Sequence, residues 1–243
     1  MGHKEEEYMS FLKKAFTLSE VLITLGIIGM VAALTMPTVI ADYQKQETVT
    51  KLKKFYSVMN QTLTRAEGDY GPVEYWDFGK NTETIKFFNT YIAPYVQITK
   101  IYKIGDFPAD ITYKCLDGKE CNSYGVLTAN PKFVLSDGTM IISVDYIEEA
   151  ETRTPAMNII VDINGFKLPN KYGRDIFAFT IQQDKKFVPA GIGITNAETV
   201  RPGYDRDYIL KGNIRGCSKN YHGFWCAALI MMDGWQISKD YPW

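Results

Sequence analysis

Four cysteines offer the most reactive side chains in the sequence, and their spacing favours disulfides. Cys115 and Cys121 form a C-x5-C pair, and Cys217 and Cys226 form a C-x8-C pair. Zinc sites usually contain tighter pairs of two to four intervening residues, and no histidine lies near the first pair. We therefore expect disulfides formed in an oxidising compartment. Pairing within each close pair is the simplest of three connectivities, and the sequence alone leaves all three open.

Catalytic motifs are not evident in the sequence. It contains no G-x-S-x-G, H-E-x-x-H or P-loop pattern, and Gly191-Ile192-Gly193 lacks the third glycine of a phosphate-binding loop. A dyad of Cys226 and His222 is conceivable, but a cysteine with a close partner cysteine is more often bridged than nucleophilic. We expect that the protein is not an enzyme.

Side chains whose oxygen atoms could bind a metal ion are concentrated in the segment VDINGFKLPNKYGRD, residues 161–175. Asp162, Asn164 and Asp175 are hard oxygen donors of the kind that calcium binds, and D-x-N-G resembles the opening of calcium loops. An EF-hand would require further acidic positions and a glutamate at the twelfth place. The favoured interpretation is that Asn164-Gly165 is a hairpin turn and Asp162 an exposed strand residue, with a calcium site as the alternative.

The charge balance does not indicate a nucleic-acid partner. The 243 residues contain 27 Lys or Arg and 28 Asp or Glu, which gives a formal net charge of −1. Nucleic-acid-binding domains usually have a clear basic excess. A local cluster of Lys51, Lys53 and Lys54 follows a helical pattern beside Glu47, so we interpret it as a solvated helix face.

The N-terminal region contains an apolar run from Phe16 to Ala41 with one charged residue, Glu20. About 20 apolar residues in a helix suffice to cross a bilayer. Lys13 and Lys14 precede the run, so the N-terminus is expected in the cytoplasm and the rest outside. A carboxylate in a membrane helix costs roughly 2.5–3.5 kcal/mol on insertion scales and usually has a partner.

Two ordinary explanations of this segment leave Glu20 without a role. A cleaved secretory signal ending before Asp42 would have an apolar core longer than the usual 7–15 residues. A plain signal anchor would gain nothing from a buried carboxylate.

The residues around Glu20 resemble a known processing motif. Lys13-Lys14-Ala15 followed by FTLSEVLI, residues 16–23, is similar to the prepilin cleavage and methylation motif of type IV pilins and type II secretion pseudopilins. The resemblance implies cleavage by a prepilin peptidase between Ala15 and Phe16 and methylation of the new terminus. It also implies that Glu20 neutralises the terminal ammonium of a neighbouring subunit. Ala15 departs from the glycine that the family usually has before the cut.

The resemblance further implies an α+β, pilin-like fold, in which a long N-terminal helix packs on a mainly antiparallel sheet. Its parts would be a leader (1–15), a transmembrane helix (16–41) kinked at Pro37, an amphipathic continuation (42–67) and a globular region (68–243). The implied function is a structural subunit of a type IV pilus or type II secretion pseudopilus. It would be held in the inner membrane and assembled with copies of itself or other pilin-like subunits.

The elements that would position these residues follow from periodicity. We expect one helix from Phe16 to Glu67, ended by Gly68 and Gly71-Pro72. Its second half is amphipathic, with apolar residues three or four apart: Val49, Leu52, Phe55, Met59, Leu63 and Ala66. A second helix is expected over residues 82–93, capped by Asn81 and limited by Pro94.

Strand patterns follow between residues 130 and 190. Residues 133–144 predict a hairpin with a two-residue turn at Asp137-Gly138. Residues 158–168 predict a second hairpin at Asn164-Gly165, and residues 175–182 alternate at the period of a half-buried strand. The last fifty residues read as irregular. We interpret Trp235 and Trp243 there as core aromatics, with an exposed interface patch as the alternative.

A membrane-anchored extracytoplasmic binding or adhesion domain is the alternative function.

Overall fold

A long helix, α1, begins at Leu18 and ends at Tyr70, and it remains helical through Pro37. The computed structural model describes residues 17–79, 83–108, 110–121, 131–148, 155–183, 186–192, 205–212 and 214–243. Gly68 lies inside α1, so the prediction that it ends the helix was wrong. Gly71 directly follows the last residue of the helix, has a left-handed φ of +78° and donates its N–H to the Glu67 carbonyl oxygen, as glycines after helix C-termini commonly do.

The chain divides into two compact units, residues 1–45 and residues 46–243. The boundary falls within α1, so the second half of α1 belongs to the same unit as the sheet. We call residues 46–243 the head.

The head half of α1 packs its apolar face on the sheet. Five of the six predicted positions are buried, and Val49 is partly buried. The Phe55 ring lies 5.4 Å from that of Phe179 and 6.0 Å from that of Phe187, measured between centroids. The amphipathic period therefore correctly identified the buried face of this half of α1. The buried positions are Leu52, Phe55, Met59, Leu63 and Ala66.

In the described part of the chain, six antiparallel strands form one sheet whose spatial order is the chain order. The α+β class and the antiparallel sheet are as predicted, although the sheet begins earlier than expected because β1 was missed. Every residue of β5 is buried, so its alternating pattern did not mark an exposed face. The strands are β1 (Ile98–Tyr102), β2 (Lys132–Leu135), β3 (Met140–Glu148), β4 (Pro155–Asp162), β5 (Ile176–Gln182) and β6 (Lys186–Pro189).

The first predicted hairpin is present, and the second is not. Leu135 and Thr139 flank a three-residue turn, Ser136 to Gly138, in which Gly138 has a φ of +85°. It is one residue longer than predicted. The prediction of a hairpin turn at Asn164-Gly165 was wrong, because β4 ends at Asp162 and its partner β5 begins only at Ile176. Residues 163–175 form a long connection between them.

Short helices flank the sheet. Helix α2 spans Thr84–Tyr91, within the predicted 82–93, and a 3₁₀ turn at Ala93–Tyr95 follows it. The predicted cap Asn81 lies outside the described residues. Near the C-terminus, α3 (Arg206–Lys211) and α4 (Cys226–Met232) occupy a region predicted to be irregular.

Candidate functional site

The first half of α1 presents its large apolar side chains outward. Leu18, Leu22, Leu25 and Ile28 are each at least 60% exposed. Among the described residues, one helix, α1, is long enough and apolar enough to span a membrane. None of its most apolar stretch is buried. The predicted membrane segment therefore has the required length and an apolar surface suited to lipid or to other apolar helices.

Glu20 is held at the start of α1 by Thr17. The Thr17 backbone N–H and hydroxyl each donate to Glu20 Oε2 at 2.8 Å, and the Glu20 N–H lies 3.2 Å from Thr17 Oγ1. This reciprocal arrangement is a capping box, in which a Ser or Thr at the cap pairs with a Glu or Gln three residues later. Thr17 and Glu20 have this spacing in the sequence. The sequence therefore indicated a helix-capping role for Glu20, which our sequence interpretation missed.

The other predicted residues of this segment are only partly described. Ala15 and Phe16, the predicted cleavage site, lie outside the described residues. Pro37 is within a continuous helix. At Gly26 and Gly29 an added Cβ would meet nothing within 4 Å, so both positions present open backbone surface, the kind that lets membrane helices approach closely.

The three predicted oxygen ligands of the head come together at the β4–β5 connection. Asp162 is 0% exposed and Asp175 is 3% exposed, so the prediction that Asp162 is an exposed strand residue was wrong. Asp162 Oδ1 accepts the Asn164 N–H at 3.0 Å, and the Asn164 side-chain amide donates to Asp175 Oδ2 at 3.3 Å. Asp175 also accepts the N–H groups of Asn170 at 2.8 Å and Lys171 at 2.6 Å. The two carboxylates thus accept hydrogen bonds from residues near both ends of the connection.

Close backbone packing holds this connection against the β2–β3 turn. Gly165 has a φ of +68°, and a Cβ there would lie 2.9 Å from the Gly138 carbonyl oxygen. Glycine is therefore required at this position both for its left-handed backbone and for the close approach.

The burial of this cluster changes its electrostatics. Burial is the main cause that raises the pKa of Asp162 to about 8, and the negative charge of Asp175 adds to it. Burial likewise raises the pKa of Asp175, although N–H groups of Lys171 and Asn170 donate to it. Burial, then the charges of both carboxylates, raise the pKa of the Tyr113 hydroxyl, which shows that this hydroxyl lies within their electrostatic reach.

Four buried oxygen atoms at the cluster have no hydrogen-bond partner among the described residues. They belong to Asp162 (Oδ2), Asn164 (Oδ1), Asn170 (Oδ1) and Tyr113 (Oη). Asn170 was not predicted as a ligand, although its position in the segment 161–175 could have suggested it. We call Asp162, Asn164, Asn170, Asp175 and Tyr113 the oxygen cluster.

The cysteines form two buried disulfides, Cys115–Cys121 and Cys217–Cys226, which is the simplest of the three connectivities. Because Cys226 is bridged, it cannot act as a nucleophile with His222. Both residues of the first disulfide line a cavity of about 350 Å³ together with His222. Its charged lining residues are Asp117, Lys119 and Glu120, and this mixed set does not indicate one ligand class.

The chain matches a family of unknown function, DUF6613, over residues 38–243. It belongs to that family. The match covers the head and the last residues of the apolar segment, and it does not include Glu20. No curated protein and no solved structure matches the chain.

Proposed function

We propose that this member of DUF6613 is a pilin-like structural subunit of a type IV pilus or type II secretion pseudopilus. A prepilin peptidase would remove residues 1–15, and the first half of α1 would then pack against its copies in the filament. The head would project from the inner membrane before assembly and from the filament surface after it.

One observation carries the proposal: a carboxylate stands within a helix segment whose apolar side chains are exposed on all sides. The apolar surface requires lipid or other apolar helices around it. A charge in such surroundings is costly unless an opposite charge reaches it. In a filament, the new amino terminus of a neighbouring subunit supplies that charge, and the pair is much stronger than in water because the effective dielectric constant is low.

The capping box offers a rival explanation that needs no second chain. Thr17 satisfies Glu20 locally, and helix capping alone would account for both residues. Capping, however, does not need the charge, since Gln serves at the same position of a capping box as well as Glu. The two explanations therefore differ in what Glu20→Gln does.

A set of three variants separates these explanations in cells that assemble the filament. Glu20→Gln keeps the cap and removes the charge, Thr17→Val removes the cap and keeps the charge, and Glu20→Ala removes both. The proposal expects all three proteins in the membrane fraction, with assembly lost in both Glu20 variants and retained with Thr17→Val. Normal assembly of Glu20→Gln together with a defect in Thr17→Val would show that Glu20 acts only as a capping residue. That result would remove the main support for the proposed filament function.

The processing step is tested separately by mass spectrometry of the N-terminus of protein isolated from its native membrane. We expect a terminus at Phe16 that is heavier by one methyl group. A terminus at Asp42 would instead indicate a secreted domain. An intact leader would indicate a plain anchor and would favour the alternative binding or adhesion function.

A further inference from the structure

The β4–β5 connection presents apolar and basic side chains to solvent next to each other. Leu168 is 82% exposed and Phe166 is 42% exposed, and no other large apolar side chain among the described residues of the head is as exposed as Leu168. Lys167 stands between them in the sequence and is also exposed. Exposed apolar side chains that are grouped and bordered by charges mark contact sites for proteins or membranes.

Contacts on the inner side of the connection hold these side chains in their outward position. The Phe166 ring lies 5.6 Å from that of Tyr102 and 5.8 Å from that of Phe107, measured between centroids. Further along, Asp175 accepts the Lys171 N–H at 2.6 Å. The backbone of the connection is therefore fixed from within the head, and its outer side faces solvent.

Cations are concentrated on this outer side. Lys114 and Lys171 lie next to each other in a parallel β-bridge, and neither forms an ion pair among the described residues. Burial is the first cause that lowers the pKa of Lys171, and the positive charges of Arg174 and Lys114 lower it further, against the attraction of Asp117. Asp117 itself pairs with Lys119 at 3.7 Å. The surface therefore suits a partner that is negatively charged.

We propose that the head binds the surface of an anionic lipid bilayer through a basic apolar patch of five residues. Leucine and phenylalanine side chains can enter the boundary between headgroups and acyl chains, and lysines beside them attract anionic headgroups. Lysine suits this position because its stem is apolar and its ammonium group can reach the polar layer. The patch consists of Lys114, Phe166, Lys167, Leu168 and Lys171.

The path of the chain favours lipid as the partner of this patch. The Thr48 hydroxyl donates to the Arg174 carbonyl oxygen at 3.3 Å, so the β4–β5 connection contacts the third residue of the head. Thr48 follows Ala41, the last residue of the apolar run, by seven residues, and seven residues span at most about 25 Å. With the apolar run in a bilayer, the connection is tethered near lipid at a high effective concentration. A soluble acidic protein has no such tether.

The inference goes beyond the proposed function and does not depend on filament assembly. It requires only that the apolar run lies in a membrane, which a filament subunit and a plain anchor have in common. The Glu20 variants that test filament assembly leave the patch unchanged, so each proposal can fail without the other.

The test uses the full chain reconstituted in lipid nanodiscs and measures hydrogen exchange of residues 166–168 by mass spectrometry. One set of nanodiscs contains phosphatidylcholine alone, and the other contains about three parts of it to one part of anionic phosphatidylglycerol. The backbone N–H groups of residues 166–168 have no hydrogen-bond partner among the described residues. Their exchange is therefore fast in solvent and becomes slower when lipid covers them.

Four exposed substitutions separate the contribution of the patch from general effects. Leu168→Ser removes the most exposed apolar side chain, and Lys167→Glu reverses a charge. Tyr75→Ser and Arg65→Glu are the matched controls, because Tyr75 is 77% exposed and Arg65 is also exposed. Arg65 follows Thr48 by 17 residues, which is about 25 Å along a helix. Equal melting temperatures would show that none of the four substitutions disturbs the fold.

We expect residues 166–168 to exchange at least about fivefold more slowly in the anionic nanodiscs, since one lysine near an anionic surface changes the bound-to-free ratio by about fivefold. Lys167→Glu should abolish the difference between the two lipids, and Leu168→Ser should reduce it. Both controls should behave like the unaltered chain. Added salt should weaken the effect, because it screens the attraction between lysines and headgroups.

Equal exchange of the unaltered chain in the two kinds of nanodisc overturns the proposal. It is also overturned if exchange slows in detergent without lipid. Slowing that grows with protein concentration would assign the patch to a second copy of the chain, and slowing on addition of glycerol phosphate would assign it to a small anion. A loss in the controls as large as that in the patch variants would likewise overturn it.

Discussion

The two halves of α1 share one secondary structure and treat apolar side chains in opposite ways. In the first half, Leu25 and Ile28 are 60% and 64% exposed, whereas Phe55 and Met59 in the head half are 2% and 0% exposed. The first half is apolar around its whole circumference, and the second half has one apolar stripe that the sheet covers. A single apolar stripe is therefore covered by another part of the same chain, while an all-round apolar surface requires surroundings that the described residues do not provide.

The largest effect expected from this difference concerns Phe55, whose ring contacts two strands. Phe55→Ala should lower the free energy of unfolding of the head by about 3–5 kcal/mol, because it removes a buried ring and leaves a cavity. Leu25→Ala in the first half is the matched control and should change it by less than about 0.5 kcal/mol. Denaturant titration followed by tryptophan fluorescence measures the head, since all four tryptophans follow residue 46. Equal losses from the two substitutions would contradict the contrast between the halves.

A smaller effect is expected when the disulfide beside the sheet is removed. Replacing Cys217 and Cys226 together by Ala should cost about 2–3 kcal/mol, as expected for cross-links that close short loops. The disulfide between Cys115 and Cys121 closes a still shorter loop, because its cysteines are six residues apart instead of nine. Replacing both of these cysteines by Ala should therefore cost slightly less. The comparison uses the same denaturant assay on both double variants. A loss larger than that of Phe55→Ala would mean that cross-links, and not packing on α1, dominate the stability of the head.

The end of the head half can be tested with two glycines that should respond with opposite signs. Gly68 is an exposed position inside α1 with open space around it, so Gly68→Ala should stabilise the head by about 0.5–1 kcal/mol. Gly71 has a left-handed φ, so Gly71→Ala should destabilise it by about 1 kcal/mol. Melting temperatures of the two variants suffice for the test. Stabilisation by both would place the end of the helix beyond Gly71.

The smallest effect is expected from removing the ion pair between the head half of α1 and the β2–β3 turn. Lys54 Nζ lies 2.9 Å from Asp137 Oδ2. Burial opposes ionisation of Asp137, but hydrogen bonds from Lys54 and Thr139 outweigh it and leave the pKa of Asp137 below its usual value. A lowered pKa in the folded state contributes stability above the unfolded pKa of about 3.9, and this contribution is lost as the pH falls through the folded pKa.

The corresponding measurement compares the unaltered head with Asp137→Asn in denaturant titrations from pH 7 down to pH 2. We expect a difference of about 0.5–1 kcal/mol at pH 7, because the pair is partly exposed, and a smaller one as Asp137 becomes protonated below about pH 4. A difference that stays constant over this range would show that the carboxylate charge is not the source of the stabilisation.

The sequence was most informative where one local pattern decides the structure. The three-to-four-residue period of the head half identified its buried residues, because a helix face can be read without knowing its partner. Asp137-Gly138 likewise identified a turn, although not its length. The capping box of Thr17 and Glu20 was also visible as a local spacing.

Predictions failed where distant segments decide the outcome. Asn164-Gly165 has the composition of a hairpin turn, but its left-handed glycine serves a close approach to the β2–β3 turn instead. Asp162 is polar, and its burial follows from packing that brings Asp175 beside it. Helices α3 and α4 have six and seven residues, too few for a helical period to emerge from the sequence.

The agreement between the spatial and the chain order of the strands bears on how the head acquires its structure. Each strand of the sheet pairs with the strand just before it in the sequence. The longest loop to close lies between β1 (Ile98–Tyr102) and β2 (Lys132–Leu135), and the entropy cost of closing a loop grows only slowly with its length. Pairing between consecutive strands favours rapid folding. A head built in this way can add one strand at a time as the polypeptide emerges from the ribosome, with each new strand meeting an edge that has already formed.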